Sequence, residues 1–489
     1  MIEFMYKPIA NMLIRTSKTV ERRETKMFKE MKMSKFNFVA HNCEGDIVLY
    51  NFLSGIKSIT KVQRKDVDKF AQMFLSDDVI YGSSDPKYIK TFECLINKGI
   101  LVANDVDENS ILESNHYSQS YDNELCLTIL PTGECNFRCP YCYETSQSFH
   151  RKAMTVESQD AFLRYIHRSI SNYKGIHVAW FGGEPLLEPE IIKRLSEEMI
   201  AICNKRYLPF WAEIVTNGYL LDAEMFDMLY KLRVYTYMIT IDGFEEQHDK
   251  LRCLLDGTGT YNTIISNLRN IRDSKQYKFA HVIVRINVSA GFFDRFDEFA
   301  SFLAEEFAND SRFEFMFVPV TMDVKETKTD LIVDPNELSF RLTNNESYIN
   351  NLSNEKEQLS LILPEPQCIA AKKHSYVITP DLSLYKCYSH FESKENKIGS
   401  IDIRGNLVID ESLHRRWYLS SRYLHKSPKA CDNCFYLPCC RCETAGCPIR
   451  YPERKHRNSC RLTEPNFKQK LTEAILYAAR TKQCTILPI

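Results

Sequence analysis

Between residues 125 and 320 the chain repeats one pattern: an apolar run of strand length, then a stretch with helical spacing. The runs are LCLTIL (125–130), HVAWF (177–181), AEIVTN (212–217), YMITI (237–241), HVIVRINV (281–288) and FEFMFVPV (313–320), with helical stretches such as MTVESQDAFLRYIHRSI and GTYNTIISNLRNI between them. Strands separated by helices pair in parallel, because a parallel neighbour is reached only through a crossover, and such a sheet is covered on both faces. Six such runs predict an α/β fold, either an open doubly wound sheet or a curved, incomplete barrel.

The unusual residues gather at the carboxyl ends of these strands. Cys135, Cys139 and Cys142 follow the first; Gly182, Gly183, Glu184 and Pro185 the second; Thr216, Asn217 and Gly218 the third; Asp242 and Gly243 the fourth; Arg285 and Asn287 lie on the fifth. In parallel α/β proteins that end carries ligands and chemistry. Any one Gly-Gly or Asn-Gly there is commonly a simple turn, but five in register argue for an active site.

The chain has 18 cysteines, three of them in 135–142 and six in 431–447, whereas Cys43, Cys94, Cys126, Cys203, Cys253 and Cys484 stand singly and read as small buried apolar residues. Clusters of this kind in a reducing compartment point to metal binding or catalysis rather than disulfides. No apolar run approaches the length of a membrane span and the N-terminus lacks an unbroken signal-peptide core, so the cytoplasm is expected. A net charge of -1 without single-sign blocks excludes a dedicated nucleic-acid binder. Basic pairs such as Arg22–Arg23 and the run 454–457 read as solvated surface. The 489 residues allow about three domains.

A structural zinc site closes on four ligands, and three cysteines in one loop fall short of that unless a distant residue completes the set. A cubane of iron and sulfide tolerates the deficit, since three irons are held by thiolates and the fourth takes a small-molecule ligand. The C-x3-C-x2-C spacing with Tyr141 before the last cysteine, followed about forty residues on by Gly-Gly-Glu-Pro, resembles the radical S-adenosylmethionine (SAM) superfamily. The resemblance implies a partial (β/α)6 barrel, a SAM-binding 4Fe-4S cluster on Cys135, Cys139 and Cys142, and reductive cleavage of SAM to a 5′-deoxyadenosyl radical. It also implies that Gly182, Gly183, Glu184 and Pro185 hold the methionine amino group, that Arg285 pairs with its carboxylate, that Asn217 and Asp242 lie near the ribose with Asn287 beside them, and that Tyr141 meets the adenine.

The later cysteines are similar to a SPASM domain, which carries two auxiliary 4Fe-4S clusters. Cys368, Cys387 and Cys447 match the first, and Cys431, Cys434, Cys440 and Cys460 the second, with Tyr436–Pro438 placing Cys440 rather than Cys439 in the family position. The match is one thiolate short of eight: Cys439 or Cys442 fills the gap, or one iron stays open. The expected division is a 1–34 extension, a small winged-helix-like α+β domain at 35–118, the barrel at 119–330, a linker and helix at 331–366, and the SPASM domain at 367–489. The 35–118 unit is similar to leader-recognition domains that add a precursor peptide to a strand edge.

Together these features imply a peptide maturase that installs a thioether, Cys sulfur to carbon, in a ribosomally made precursor, with a flavodoxin or ferredoxin as electron donor. The alternatives are an anaerobic sulfatase-maturing enzyme making formylglycine, another peptide carbon–carbon crosslinking or epimerising enzyme, and a non-catalytic zinc scaffold. Sulfatase-maturing enzymes carry an aspartate base beside an auxiliary-cluster cysteine, whereas Tyr388 follows Cys387 here; Asp381 reads as a turn residue. DGTGTYN (256–262) is expected to cap the helix after it.

Overall fold

The computed structural model describes residues 31–72, 86–142, 152–320, 331–334, 338, 359, 361–363, 368–419, 431, 433–440, 448–449, 460, 462, 466–482 and 484–487. Cys442, Cys447, most of the expected 331–366 linker, residues 1–30 and the basic run 454–457 lie outside them.

The described residues begin with β1 (Met31–Met33), β2 (Asn37–His41), β3 (Ile47–Asn51) and β4 (Thr60–Val62), then helices Val67–Gln72 and Pro86–Asn97, and β5 (Leu101–Ala103), which pairs with β1. β2 and β3 form a hairpin whose turn is tied by Asn42 and Asp46, and β4 adds antiparallel to β3. This follows the two apolar runs around Glu44-Gly45.

Helix Glu108–Ser120 leads into the parallel sheet: β6 (Glu124–Ile129), β7 (Gly175–Trp180), β8 (Phe210–Thr216), β9 (Val234–Thr240), β10 (His281–Val288) and β11 (Phe313–Pro319). Each pairs in parallel with the next, and helices Val156–Ser169, Pro189–Lys205, Ala223–Lys231, Tyr261–Asp273 and Phe296–Phe307 supply crossovers. Period-2 alternation explains the layering. In β10, Val282, Val284, Ile286 and Val288 are buried in the core, while His281, Ile283, Arg285 and Asn287 occupy the other, half-buried face. The polar residues singled out on this strand therefore share the face turned away from the main core.

Among the described residues the sheet does not close. β6 pairs on its free side with β12 (Ser375–Ile378), and β13 (Ser383–Tyr385), β14 (Lys397–Ile401) and β15 (Leu407–Ile409) continue antiparallel, giving the order β11-β10-β9-β8-β7-β6-β12-β13-β14-β15. The result is a partial barrel whose open side is extended by the cysteine-bearing hairpins.

The last described segment returns to the small N-terminal unit instead of staying with those hairpins. Helix Phe467–Thr481 buries Phe467, Leu471, Ala474, Ile475 and Ala478, a stripe at helical spacing, against Phe36, Tyr50 and Phe52. β16 (Thr485–Ile486) then adds parallel to β4, with Leu487 buried beside Leu49, Val62 and Leu95. Among the described residues the small sheet runs β16-β4-β3-β2, leaving β2 at an edge.

Candidate active site

The loop after β6 carries the three clustered cysteines and is held from two sides. On one side is the Gly182–Pro185 loop: Glu184 N donates to Glu134 O at 2.8 Å, and the backbones approach so closely that a Cβ on Gly183 would stand 2.3 Å from Glu134 O and one on Gly182 2.4 Å from Thr132 O. Gly182 also has φ +116°, a conformation L side chains rarely adopt. Both glycines are required by this contact. On the other side is the segment after helix Glu245–Leu251, where Arg138 N donates to Cys253 O at 3.3 Å and Phe137 forms an antiparallel bridge with Leu254.

Within the loop Cys135 Sγ accepts from Phe137 N at 3.3 Å, and Cys142 N donates to Cys139 O at 3.2 Å. Burial pushes the Cys135 thiol up to about 12 despite that amide, with the charges of Glu184, Cys139 and Cys142 adding to the rise. Burial likewise raises Cys139. The three thiols thus lie within electrostatic reach of one another, although among the described residues no three His, Cys, Asp or Glu side chains close into a single-ion site. Three thiols on one loop, one already accepting an amide hydrogen bond, with the Glu184 loop pressed against that loop, are a donor set that fits an iron–sulfur cluster left open at one corner.

Glu184 is buried at the centre. Its Oε1 accepts from Leu186 N (3.0 Å) and Thr216 Oγ1 (2.8 Å), and its Oε2 from Asn217 N (2.7 Å). Burial raises its pKa and these donors oppose the rise. Three bonds leave carboxylate lone pairs for a cationic ligand such as an amino group. Asn217 Nδ2 donates to Asn136 Oδ1 (2.8 Å), tying the third strand end to the cysteine loop.

A second network joins the remaining residues. Tyr141 OH donates to Asp242 Oδ2; Asp242 Oδ1 accepts from Asn287 Nδ2 (3.2 Å) and N (3.4 Å); Asn287 Oδ1 accepts from Arg285 Nε (2.9 Å). Burial raises both Asp242 and Tyr141. Arg252 completes the chain by donating from Nη1 to Tyr141 OH at 3.1 Å. This arginine was not singled out in the sequence; its signal was a charge inside the apolar run LRCLL (251–255). His248 supports it: Asp242 N donates to His248 Nδ1, Nε2 meets Thr260 Oγ1, and Thr260 Oγ1 donates to Arg252 O at 2.6 Å. Burial pushes His248 well down, so it is a neutral structural imidazole. The cap of helix Tyr261–Asp273 comes from Asp249, whose Oδ1 accepts from Thr260 N and Tyr261 N, while Asp256 binds Thr258 N within DGTGTYN.

Beyond the barrel, Cys387 Sγ accepts from Ser389 N at 3.4 Å, and Asn396, fully buried, clamps Cys387 by accepting from its N (2.8 Å) and donating to its O (2.6 Å). Cys368 and Cys387 both act electrostatically on Tyr388, whose ring packs on Phe181 with centroids 4.8 Å apart and which also feels Arg285 and Glu213. Lys386 is buried, donating to Lys372 O and Ser375 O, and burial lowers it to about 7. Cys434 N donates to Cys431 O in a tight turn. Cys439 is buried among Tyr50, Tyr436 and Ile362, facing Ile362 O at 3.8 Å, whereas Cys440 is half-buried. Cys460 is also half-buried. Asp381 sits in its turn with Thr379 and Ser383: burial raises it, but their hydrogen bonds win and hold it below its ordinary value. Of the single cysteines, Cys126 and Cys203 are buried as expected, Cys43 is exposed, and Cys253 lies near Cys139.

Residues 129–303 match the Radical SAM superfamily, so the barrel and its cysteine loop are a radical SAM domain, which implies a 4Fe-4S cluster and SAM. Among particular proteins, the chain is 24% identical to the cysteine-type anaerobic sulfatase-maturating enzyme of Clostridium novyi (strain NT) over 388 residues, 73% of this chain and 98% of that protein. It is 26% identical to the radical SAM cyclopropyl synthase TigE of Paramaledivibacter caminithermalis over 165 residues, 31% of this chain and 33% of TigE. The solved structure of native anSMEcpe with bound AdoMet and Cp18Cys peptide has a TM-score of 0.54 at 19% identity, covering 73% of this chain and 97% of that one, a likeness of fold. Among the described residues no helix is long and apolar enough to cross a membrane.

Proposed function

We propose that this chain is a radical SAM peptide maturase that forms an intramolecular thioether in a ribosomally made precursor. Bound SAM and its 4Fe-4S cluster supply a carbon-centred radical able to take hydrogen from an unactivated carbon. The protein's part is to grip both and present the peptide. Cys135, Cys139 and Cys142 would hold the SAM cluster; Glu184 would receive the methionine amino group; Cys368, Cys387 and Cys447 with Cys431, Cys434, Cys440 and Cys460 would hold two auxiliary clusters. The small N-terminal unit, completed by the C-terminal helix, would take the leader peptide on a strand edge, and a flavodoxin or ferredoxin would reduce the enzyme in the cytoplasm.

The observation that carries the reading is Tyr388. Formylglycine formation calls for a base at this position, and a carboxylate suits it; a phenol, whose ordinary pKa is about 10, stays protonated near neutrality. A phenol packed on Phe181 shapes a substrate wall instead, and a first auxiliary set one thiolate short suits a substrate that brings its own thiol. The likeness to the sulfatase-maturating enzyme of C. novyi, named for cysteine-type maturation, keeps that activity as the second reading; the match leaves about a quarter of this chain uncovered.

Anaerobic incubation of reduced enzyme with SAM and a cysteine-containing precursor peptide tests the proposal. The expected result is 5′-deoxyadenosine and a peptide that keeps its sulfur and is lighter by two hydrogens. A peptide that loses sulfur and gains an aldehyde supports the second reading and overturns the first.

A further inference from the structure

Arg252 is 8% exposed; its guanidinium stands over the Phe137 ring at 5.6 Å, donates from Nη1 to Tyr141, and leaves its Nε–H buried without a partner. The two residues after it are laced to the cysteine loop, Cys253 O accepting from Arg138 N and Leu254 bridging to Phe137. A buried cation is expensive unless it is paired, and a buried N–H left without a partner adds to that cost. Around it stand Tyr141 and Asp242, with Cys139 and Glu184 within electrostatic reach. Three thiolates gripping a cluster would bring net negative charge to this spot, more still after one-electron reduction, and the site holds two buried carboxylates already.

We infer that Arg252 is a positioning residue whose fixed guanidinium counters the charge of the cluster gripped by Cys135, Cys139 and Cys142 and thereby makes that cluster easier to reduce. The inference rests on the radical SAM reading of the loop. In a dry site a cation placed beside an acquired electron acts at full strength, because little water is present to screen it. Arg285, half-buried and tied to Asn287, is left for other work.

The test is a redox titration of reconstituted full-length enzyme, followed by electron paramagnetic resonance at the signal that added SAM perturbs, with SAM affinity measured alongside. Arg252→Gln and Arg252→Met both remove the charge, so either iron-loaded variant carries the test; Arg252→Lys keeps it. At a fixed potential the neutral variants are expected to show a reduced-to-oxidised ratio at least tenfold below wild type, about 59 mV for one electron, with Arg252→Lys within threefold of wild type. A neutral variant with wild-type potential overturns the inference, as does one that loses SAM affinity alone, which would assign Arg252 to the SAM carboxylate. Neither outcome touches the reading of the loop, which in this experiment fails if wild type gives no SAM-sensitive signal.

Discussion

Replacing Gly183 with alanine tests the contact on which the site is built. The added Cβ would meet Glu134 O at 2.3 Å, Glu134 C at 2.5 Å and Gly133 O at 2.7 Å, all backbone atoms with no rotamer to relieve them. Restoring van der Waals distance opens the two loops by roughly 1 Å. Overpacking of this kind costs about 1–3 kcal/mol, and stretching the 2.8 Å bond from Glu184 N to Glu134 O adds about 1 kcal/mol. The functional consequence is larger, since a displacement of about 1 Å between groups that must act together costs on the order of a hundredfold in rate. Gly183→Ala is therefore expected to keep its iron but to form 5′-deoxyadenosine about a hundredfold more slowly. Gly291→Ala, where nothing lies within 4 Å of the new Cβ, is expected to match wild type. A Gly183→Ala enzyme with wild-type SAM affinity and turnover would refute the claim that the two loops must touch.

Thr216→Val removes a hydroxyl donor to the Glu184 carboxylate, a charge-assisted bond worth about 1.5–3 kcal/mol, and is expected to weaken SAM binding by about tenfold or more in equilibrium dialysis. Leu471→Ala empties a buried position between the C-terminal helix and the small sheet; a loss of about 2–5 kcal/mol should appear as earlier unfolding of that unit in hydrogen exchange, with the radical SAM domain unaffected. Asp310 is held at about 2 by its hydrogen bond to Arg312, against burial. Because its folded pKa lies below the ordinary 3.8, its stabilisation is present above about pH 4 and is lost as pH falls towards 2; Asp310→Asn should remove about 2 kcal/mol from that acid limb in denaturant titrations.

All six barrel strands were legible because each combines an apolar run with a crossover helix, and the register of β10 follows from the alternation of Val282, Val284 and Ile286 with Arg285 and Asn287. That the cysteine loop and Glu184 follow strand ends was legible from their places after the apolar runs, whereas the roles expected of them came only through the family resemblance. The continuation of the sheet through β12–β15 was not, since runs as short as SLY carry little periodicity and the pairing of β12 with β6 joins positions about 250 residues apart. The C-terminal helix had a readable stripe from Phe467 to Ala478, yet nothing local tells that its partner is Phe36, Tyr50 and Phe52. Arg252 was hidden for a related reason: its neighbours Phe137, Tyr141 and Asp242 meet only when the ends of different strands are brought together.

The most direct test of the account is 5′-deoxyadenosine formation from SAM by the reduced enzyme under strict exclusion of air, comparing wild type with a variant in which Cys135, Cys139 and Cys142 are all serine. The account predicts steady formation by wild type, and none by a variant that is short of wild type by about four irons per chain. A folded triple variant that still makes 5′-deoxyadenosine at the wild-type rate would contradict it.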